Sequence, residues 1–125
     1  MNELIENIFE NFKVDNVSIP VSFAYYDGHS TNYIVYINSN TGDTFYSDDE
    51  LSNYIEYYDF NIYSKGNYMK IIESVKNLLE QNGFDWQPSL SSSDLYEEDT
   101  GYFHKTLCFA YIRNTETKSD DIVSA

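Results

Sequence analysis

Tyr54-Ile55-Glu56-Tyr57-Tyr58-Asp59-Phe60-Asn61-Ile62-Tyr63 is the stretch whose reading decides the fold. From Tyr58 onward, Tyr58, Phe60 and Ile62 point one way and Asp59, Asn61 and Tyr63 the other, which is the period-2 pattern of a strand with one buried face. Ser64-Lys65-Gly66-Asn67 breaks that pattern, and from Tyr68 the apolar spacing changes to 3.6. Tyr68, Ile71, Ile72, Val75, Leu78 and Leu79 form one stripe, while Lys70, Glu73, Lys76, Asn77 and Glu80 fill the other side, so the spacing predicts an amphipathic helix. Asn67 suits its start and Gly83 the left-handed turn that ends it. The turn between strand and helix is short, so the helix is expected to fold back over the strand's sheet.

Working outward, Leu4, Ile5, Ile8, Phe9 and Phe12 repeat the helical spacing within 1–12, with Glu3, Glu6 and Glu10 on the wet side. Asp15 to Pro20 reads as a connector. Val21 to Tyr26 and Asn32 to Ile37 read as strands around a turn at Asp27-Gly28-His29-Ser30. Asn38 to Asp43 reads as a polar turn, Thr44 to Ser47 as a short strand and Asp48-Asp49-Glu50 as an acidic loop. Beyond the helix, Phe84 to Leu90 begins another strand with Trp86 as its anchor. Ser89 to Ser93 looks mobile, Asp94 to Gly101 turns, and 102–113 is the last strand. Strands joined by short turns pair antiparallel. The expected fold is α+β: a single antiparallel sheet of four to six strands with two helices packed on one face. It comprises one domain over 1–113 and a polar, acidic tail over 114–125.

Composition narrows the function. The chain has 125 residues, 42% hydrophobic and 18% aromatic, enough for a core rich in Tyr and Phe. A net charge of −14 opposes ordinary binding to a nucleic-acid backbone, and it suits either plain solubility or a surface that must not hold passing DNA. The single Cys108 excludes an internal disulfide and reads as a buried, inert thiol in a reducing compartment. No apolar run spans a membrane and no signal peptide is visible, so an intracellular protein without a membrane partner is expected. Asn16-Val17-Ser18 fits a glycosylation sequon that carries no weight without secretion.

No catalytic constellation emerges: there is no phosphate-cradling glycine loop, Cys pair or nucleophile elbow. His104 and Cys108 lie four apart on one strand face, too far for a direct hydrogen bond. Asp48-Asp49-Glu50 and Glu97-Glu98-Asp99 are carboxylate clusters without metal-loop spacing, and they read as solvated turns. No enzyme activity, metal or cofactor is therefore expected. The outer side of the long strand, with Tyr57, Asp59, Asn61 and Tyr63, mixes aromatic and polar groups as protein interfaces do. Tyr57 and Tyr63, with Tyr33 and Tyr36 on the preceding strand, are the candidate subunit-contact residues. Asp48, Asp49, Glu50, Glu97, Glu98 and Asp99 are the candidate lumen- or partner-facing acids.

Four stretches together resemble a known family. Tyr33-Ile34-Val35-Tyr36 resembles a Pro-Tyr-Ile-Val-Tyr segment, with Asn32 where Pro is usual. Asp48-Asp49 sits at an Ala-Asp-Asn turn. Tyr58 to Lys65 resembles a Tyr-Gln-Ile-Glu-Leu-Tyr-Thr-Lys strand. Met69 to Trp86 resembles a helix followed by Gly and an aromatic strand. The family is that of the tail completion, or tail terminator, proteins of long-tailed phages and prophages of Gram-positive bacteria, and the likeness covers about 19–113. It implies a virion protein made in the bacterial cytoplasm. In the virion it would form a homo-oligomeric ring, typically of six copies, that ends the tail tube and meets the head-tail connector or head-completion protein while DNA passes through without specific binding. An acidic lumen would repel phosphates at short range. The residues alone leave a second class open, a small acidic DNA mimic or inhibitor that binds a basic DNA-binding protein. An enzyme comes third.

Overall fold

The structure, a computed structural model, describes residues 2–41, 45–46, 52–66 and 68–114. The elements run α1 (Asn2–Ile8), β1 (Lys13–Val14), β2 (Val17–Ser18), β3 (Val21–Phe23), β4 (Asn32–Thr41), β5 (Phe45–Tyr46), β6 (Ser52–Ser64), α2 (Tyr68–Gln81), β7 (Asp85–Trp86), a 3₁₀ turn (Pro88–Leu90), β8 (Leu95–Glu97) and β9 (Tyr102–Asn114). The architecture is α+β, two helices with a mainly antiparallel sheet. Its strand order is β3-β4-β6-β9-β7, with β5 beside β6 and β8 beside β9.

One pair departs from the all-antiparallel expectation: β3 runs parallel to β4, with Val21 opposite Ile34 and Phe23 opposite Tyr36. The cause lies just after β3. Ala24 takes a left-handed backbone (φ 74°), a conformation that costs a non-glycine residue about 1–2 kcal/mol. It cuts the predicted Val21–Tyr26 strand short and sends the chain back along the sheet. The loop is then held by Tyr26, whose hydroxyl accepts the Ser30 N–H at 2.9 Å. Gly28 makes this fold possible, because a Cβ there would overlap the Tyr26 ring.

The connector predicted at Asp15 to Pro20 is instead a hairpin. Val14 faces Val17 across Asp15 (φ 52°) and Asn16 (φ 66°), and two consecutive positive φ angles are the signature of a type I′ turn. The polar turn predicted at Asn38 is a continuation of β4 as far as Thr41, accommodated by a register shift between Asn38 and Asn40.

β6 is the spine. It pairs antiparallel with β4 from Asn32↔Ser64 to Thr41↔Glu56, and with β9 from Asn53↔Asn114 to Ser64↔Phe103. Its even-numbered residues Tyr58, Phe60 and Ile62 are buried, as the alternation predicts. They share one core with Ile34 and Tyr36 of β4, Leu107 and Phe109 of β9, Ile71, Ile72, Val75 and Leu79 of α2, and Ile5 of α1. Each such fully buried side chain contributes about 1.5–3 kcal/mol through lost contact with water. Gly83 (φ 88°) ends α2, and Phe84 N–H then donates to Leu79 C=O at 3.0 Å, closing the helix with its following residue tucked into the core.

Candidate functional site: the outer face of the sheet

Alternation along three paired strands builds the second face residue by residue. The registers align Tyr33, Tyr63 and His104 in one row, Val35, Asn61 and Thr106 in the next, and Ile37, Asp59 and Cys108 in a third; Tyr57 and Ala110 follow. Adjacent residues in a row sit close enough for their side chains to pack.

The first row is a ladder of stacked rings. Tyr26 lies on Tyr33 at 4.5 Å and 24°, Tyr33 on Tyr63 at 4.7 Å and 15°, and Tyr63 on His104 at 4.2 Å and 12°. Tyr102 meets both Tyr33 and Tyr63 edge-on, Lys65 Nζ sits 4.8 Å from the Tyr102 ring centre, and the Tyr102 hydroxyl donates to Ser30 C=O. Aromatic pairs of this kind contribute about 0.5–1.5 kcal/mol each beyond their burial. Burial first, and then the neighbouring Tyr63, Tyr102 and Glu97, push the Tyr33 phenol above its ordinary pKa. Burial and Glu97 do the same to Tyr63. Both phenols therefore stay protonated and keep their hydrogen-bond donors.

The second row satisfies its own polar groups. Asn61 Nδ2 donates to Val35 C=O at 3.2 Å, and Thr106 Oγ1 donates to Asn61 Oδ1 at 2.7 Å. In the third row Cys108 is buried, as its strand pattern predicts. Burial, reinforced by the charge of Asp59 and a hydrogen bond to it, pushes its thiol up to about 11. That thiol is neutral at physiological pH and a poor nucleophile.

His104 ends the ladder. Its Nε2 is buried and finds no hydrogen-bond partner among the described residues, while Nδ1 lies 3.9 Å from Glu97 Oε2. Desolvation lowers its pKa, with Glu97 pulling the other way. The folded chain thus holds fewer protons at this ring than the unfolded chain, so acid favours unfolding. Stability is expected to fall as pH drops through about 6.5 and to level off below the folded-state pKa. Thermal unfolding of the unmodified chain and of His104→Phe, followed from pH 7.5 to 5, checks this. The variant should lose part of the acid-induced drop, and an identical pH profile in both would refute the assignment.

The predicted residues separate. Tyr33 and Tyr63 meet in the ladder, and Tyr57 shares their face farther along β6. Tyr36 is a correction: it is 1% exposed, packed against Phe23 at 5.5 Å and Phe60 at 5.7 Å, so it belongs to the core and not to any surface contact. The reason is strand parity, since Tyr33 and Tyr36 are three apart and must face opposite ways. Glu97, Glu98 and Asp99 are exposed in the tight β8–β9 turn, where Gly101 N–H donates to Glu97 C=O at 2.7 Å and Thr100 Oγ1 donates to Glu97 Oε1. Asp48, Asp49 and Glu50 lie outside the described residues. Among the described residues no three His, Cys, Asp or Glu side chains converge as a metal site would require, and no helix is long and apolar enough to cross a membrane. Tyr26, Tyr102 and His104 were not legible as site residues; period-2 spacing puts Tyr102 and His104 on one face, but only the β6–β9 register brings them to Tyr63. No protein-family model matches this chain, and no curated protein matches it.

Proposed function

We propose that this protein is a structural part of a phage tail: the subunit of a ring, typically of six copies, that ends the tail tube, joins it to the head-tail connector and lets DNA pass. In this reading both helices back the core face of the sheet, leaving the Tyr-bearing outer face to meet other proteins. The supporting observation is that face itself. Within a chain of net charge −14 it presents Tyr33, Tyr57, Tyr63 and Ile37 around polar groups that are already hydrogen-bonded. Interface cores are depleted in charge and enriched in Tyr in the same way. The acids of the β8–β9 turn are directed at the lumen or at a neck partner, where they repel phosphates over about 8 Å at physiological salt.

Electron microscopy of the purified protein mixed with tail tubes tests the reading. Rings seated on one end of the tube, six-fold in end views, are expected. Bare tube ends, together with tight capture of a basic DNA-binding protein, would replace it with the acidic-mimic reading.

A further inference from the structure

We propose that Asn82-Gly83, just past the C-terminal end of α2, is a site of spontaneous deamidation, and that the reaction unlatches that end of the helix from the core. Water is the co-reactant, and neither a partner nor an enzyme is needed.

The sequence pairs Asn with a following Gly at this position alone. A side chain on the following residue crowds its backbone nitrogen. Glycine has none, so its nitrogen can reach the Asn side-chain carbonyl. The Gly83 nitrogen forms a bond to Asn82 Cγ and passes its proton to solvent. The Cγ–Nδ2 bond breaks, and the amide group takes up a proton and leaves as ammonia. Water then opens the five-membered imide. Attack at the side-chain carbonyl yields an aspartate on an ordinary main chain. Attack at the main-chain carbonyl yields isoaspartate, whose main chain runs through the former side chain and is longer by a methylene. Nothing is oxidised or reduced.

The fold supplies both the access and the consequence. Asn82 and Gly83 are exposed, in the turn that follows Gln81, the last residue of α2. A short latch holds them. Gly83 N–H donates to Glu80 C=O at 3.2 Å, Phe84 N–H to Leu79 C=O at 3.0 Å, and Asn82 Nδ2 to Leu78 C=O at 2.8 Å. These bonds meet carbonyls that a helix end leaves without partners. The attacking nitrogen is the one committed to Glu80, so the reaction waits for the last turn to fray, and helix ends open at little cost. Either product then hinders the latch from closing. A carboxylate at 82 cannot donate to Leu78 C=O, and it puts negative charge where the helix dipole is already negative. Isoaspartate does more, because the extra methylene between 82 and 83 shifts Gly83 away from Glu80 and Phe84 away from Leu79. Phe84 and Leu79 are both fully buried, so the displaced chain disturbs close-packed core.

Ageing the full chain for weeks at about 37 °C and about pH 8, followed by peptide mass spectrometry, is the test. The peptide holding Asn82 should gain about 1 Da, as NH2 is replaced by OH, ahead of every peptide holding another Asn. Fragmentation by electron transfer should show isoaspartate and aspartate together. Guanidinium should speed the gain, since it removes the latch. The acidic fraction separated by ion exchange should unfold about 4 °C or more below fresh protein, with the Phe84 amide losing protection from hydrogen exchange. Asn82→Gln, whose longer side chain closes an imide ring far more slowly, should stay unmodified at 82 over the same time. Asn82→Asp should be destabilised from the start, but by less than the isoaspartate fraction, because its main chain is unaltered. Should a variant fail to fold, the unmodified chain still decides. An Asn82 that stays intact, aspartate formed without isoaspartate, a rate that guanidinium does not raise, or an aged fraction as stable as fresh protein would each overturn the proposal.

Discussion

Replacing Phe60 with alanine is expected to lower the unfolding free energy by about 3–5 kcal/mol. Its ring ties three separate parts of the core together. Phe60 is fully buried on β6 and meets Phe9, which follows α1, at 5.9 Å, Tyr36 of β4 at 5.7 Å, and Phe109 of β9 at 5.8 Å. Removing it leaves a void that three rings on separate elements cannot fill together, and close-packed interiors relax only in part. A domain of this size has about 5–15 kcal/mol in total, so the variant sits near the edge of folding. Phe103 supplies the contrast: it is 39% exposed, so truncating it removes less apolar contact. Urea unfolding followed by Tyr and Trp fluorescence measures both. A loss below about 1.5 kcal/mol for Phe60→Ala would mean that the core is not organised around β6. The same experiment bears on the outer face, because β6 carries Tyr57, Asp59, Asn61 and Tyr63 on the reverse of the residues that pack.

How much of this was legible follows from what each signal depends on. The parity of β6 and the stripe of α2 are local, repeated over several residues and reinforced by burial, so Phe60, Ile62, Ile71, Val75 and Leu79 declare themselves. The hairpin at Asp15-Asn16 was also written in the chain, as two residues that tolerate positive φ between Val14 and Val17, but a two-residue strand carries too short a period to register. The parallel pairing of β3 depends on one left-handed Ala24 and on a Tyr26–Ser30 hydrogen bond, neither of which hydropathy reports. Tyr36 was assigned to the surface by its type, although its parity with Ile34 already placed it inside. The ladder lies beyond sequence reading for a different reason: Tyr33, Tyr63 and His104 come from three strands, and their alignment is a matter of register across 71 positions of chain.

The stretch that looked emptiest, Ser89 to Ser93, carries the second large effect: Ser91→Ala is expected to cost about 1–3 kcal/mol. β9 has β6 on one side, and on the other only the short β7 and β8, so between them its backbone would lie open. The chain closes that gap with side chains. Ser91 Oγ accepts the Cys108 N–H at 2.9 Å and the Trp86 Nε1–H at 3.1 Å, and donates to Gln87 C=O at 2.9 Å. Ser92 Oγ accepts the Thr106 N–H while its own N–H donates to Thr106 C=O, and Gln87 N–H donates to Cys108 C=O. Hydroxyls here do what a neighbouring strand's carbonyls would do, so a run without periodicity is nonetheless fixed. Alanine at 91 deprives two donors of their acceptor, one of them the backbone N–H of the buried Cys108, and an unmet donor costs more than the bond it once made was worth. Ser89 is exposed, so Ser89→Ala should stay within about 0.5 kcal/mol. Hydrogen exchange adds a local readout, since the Cys108 amide should lose protection in Ser91→Ala while amides in the β4–β6 ladder keep theirs. Equal stability of the two serine variants would mean that the segment does not seal the edge. An edge opened in this way exposes unpaired backbone to other chains, so Ser91→Ala should also aggregate sooner on heating than Ser89→Ala.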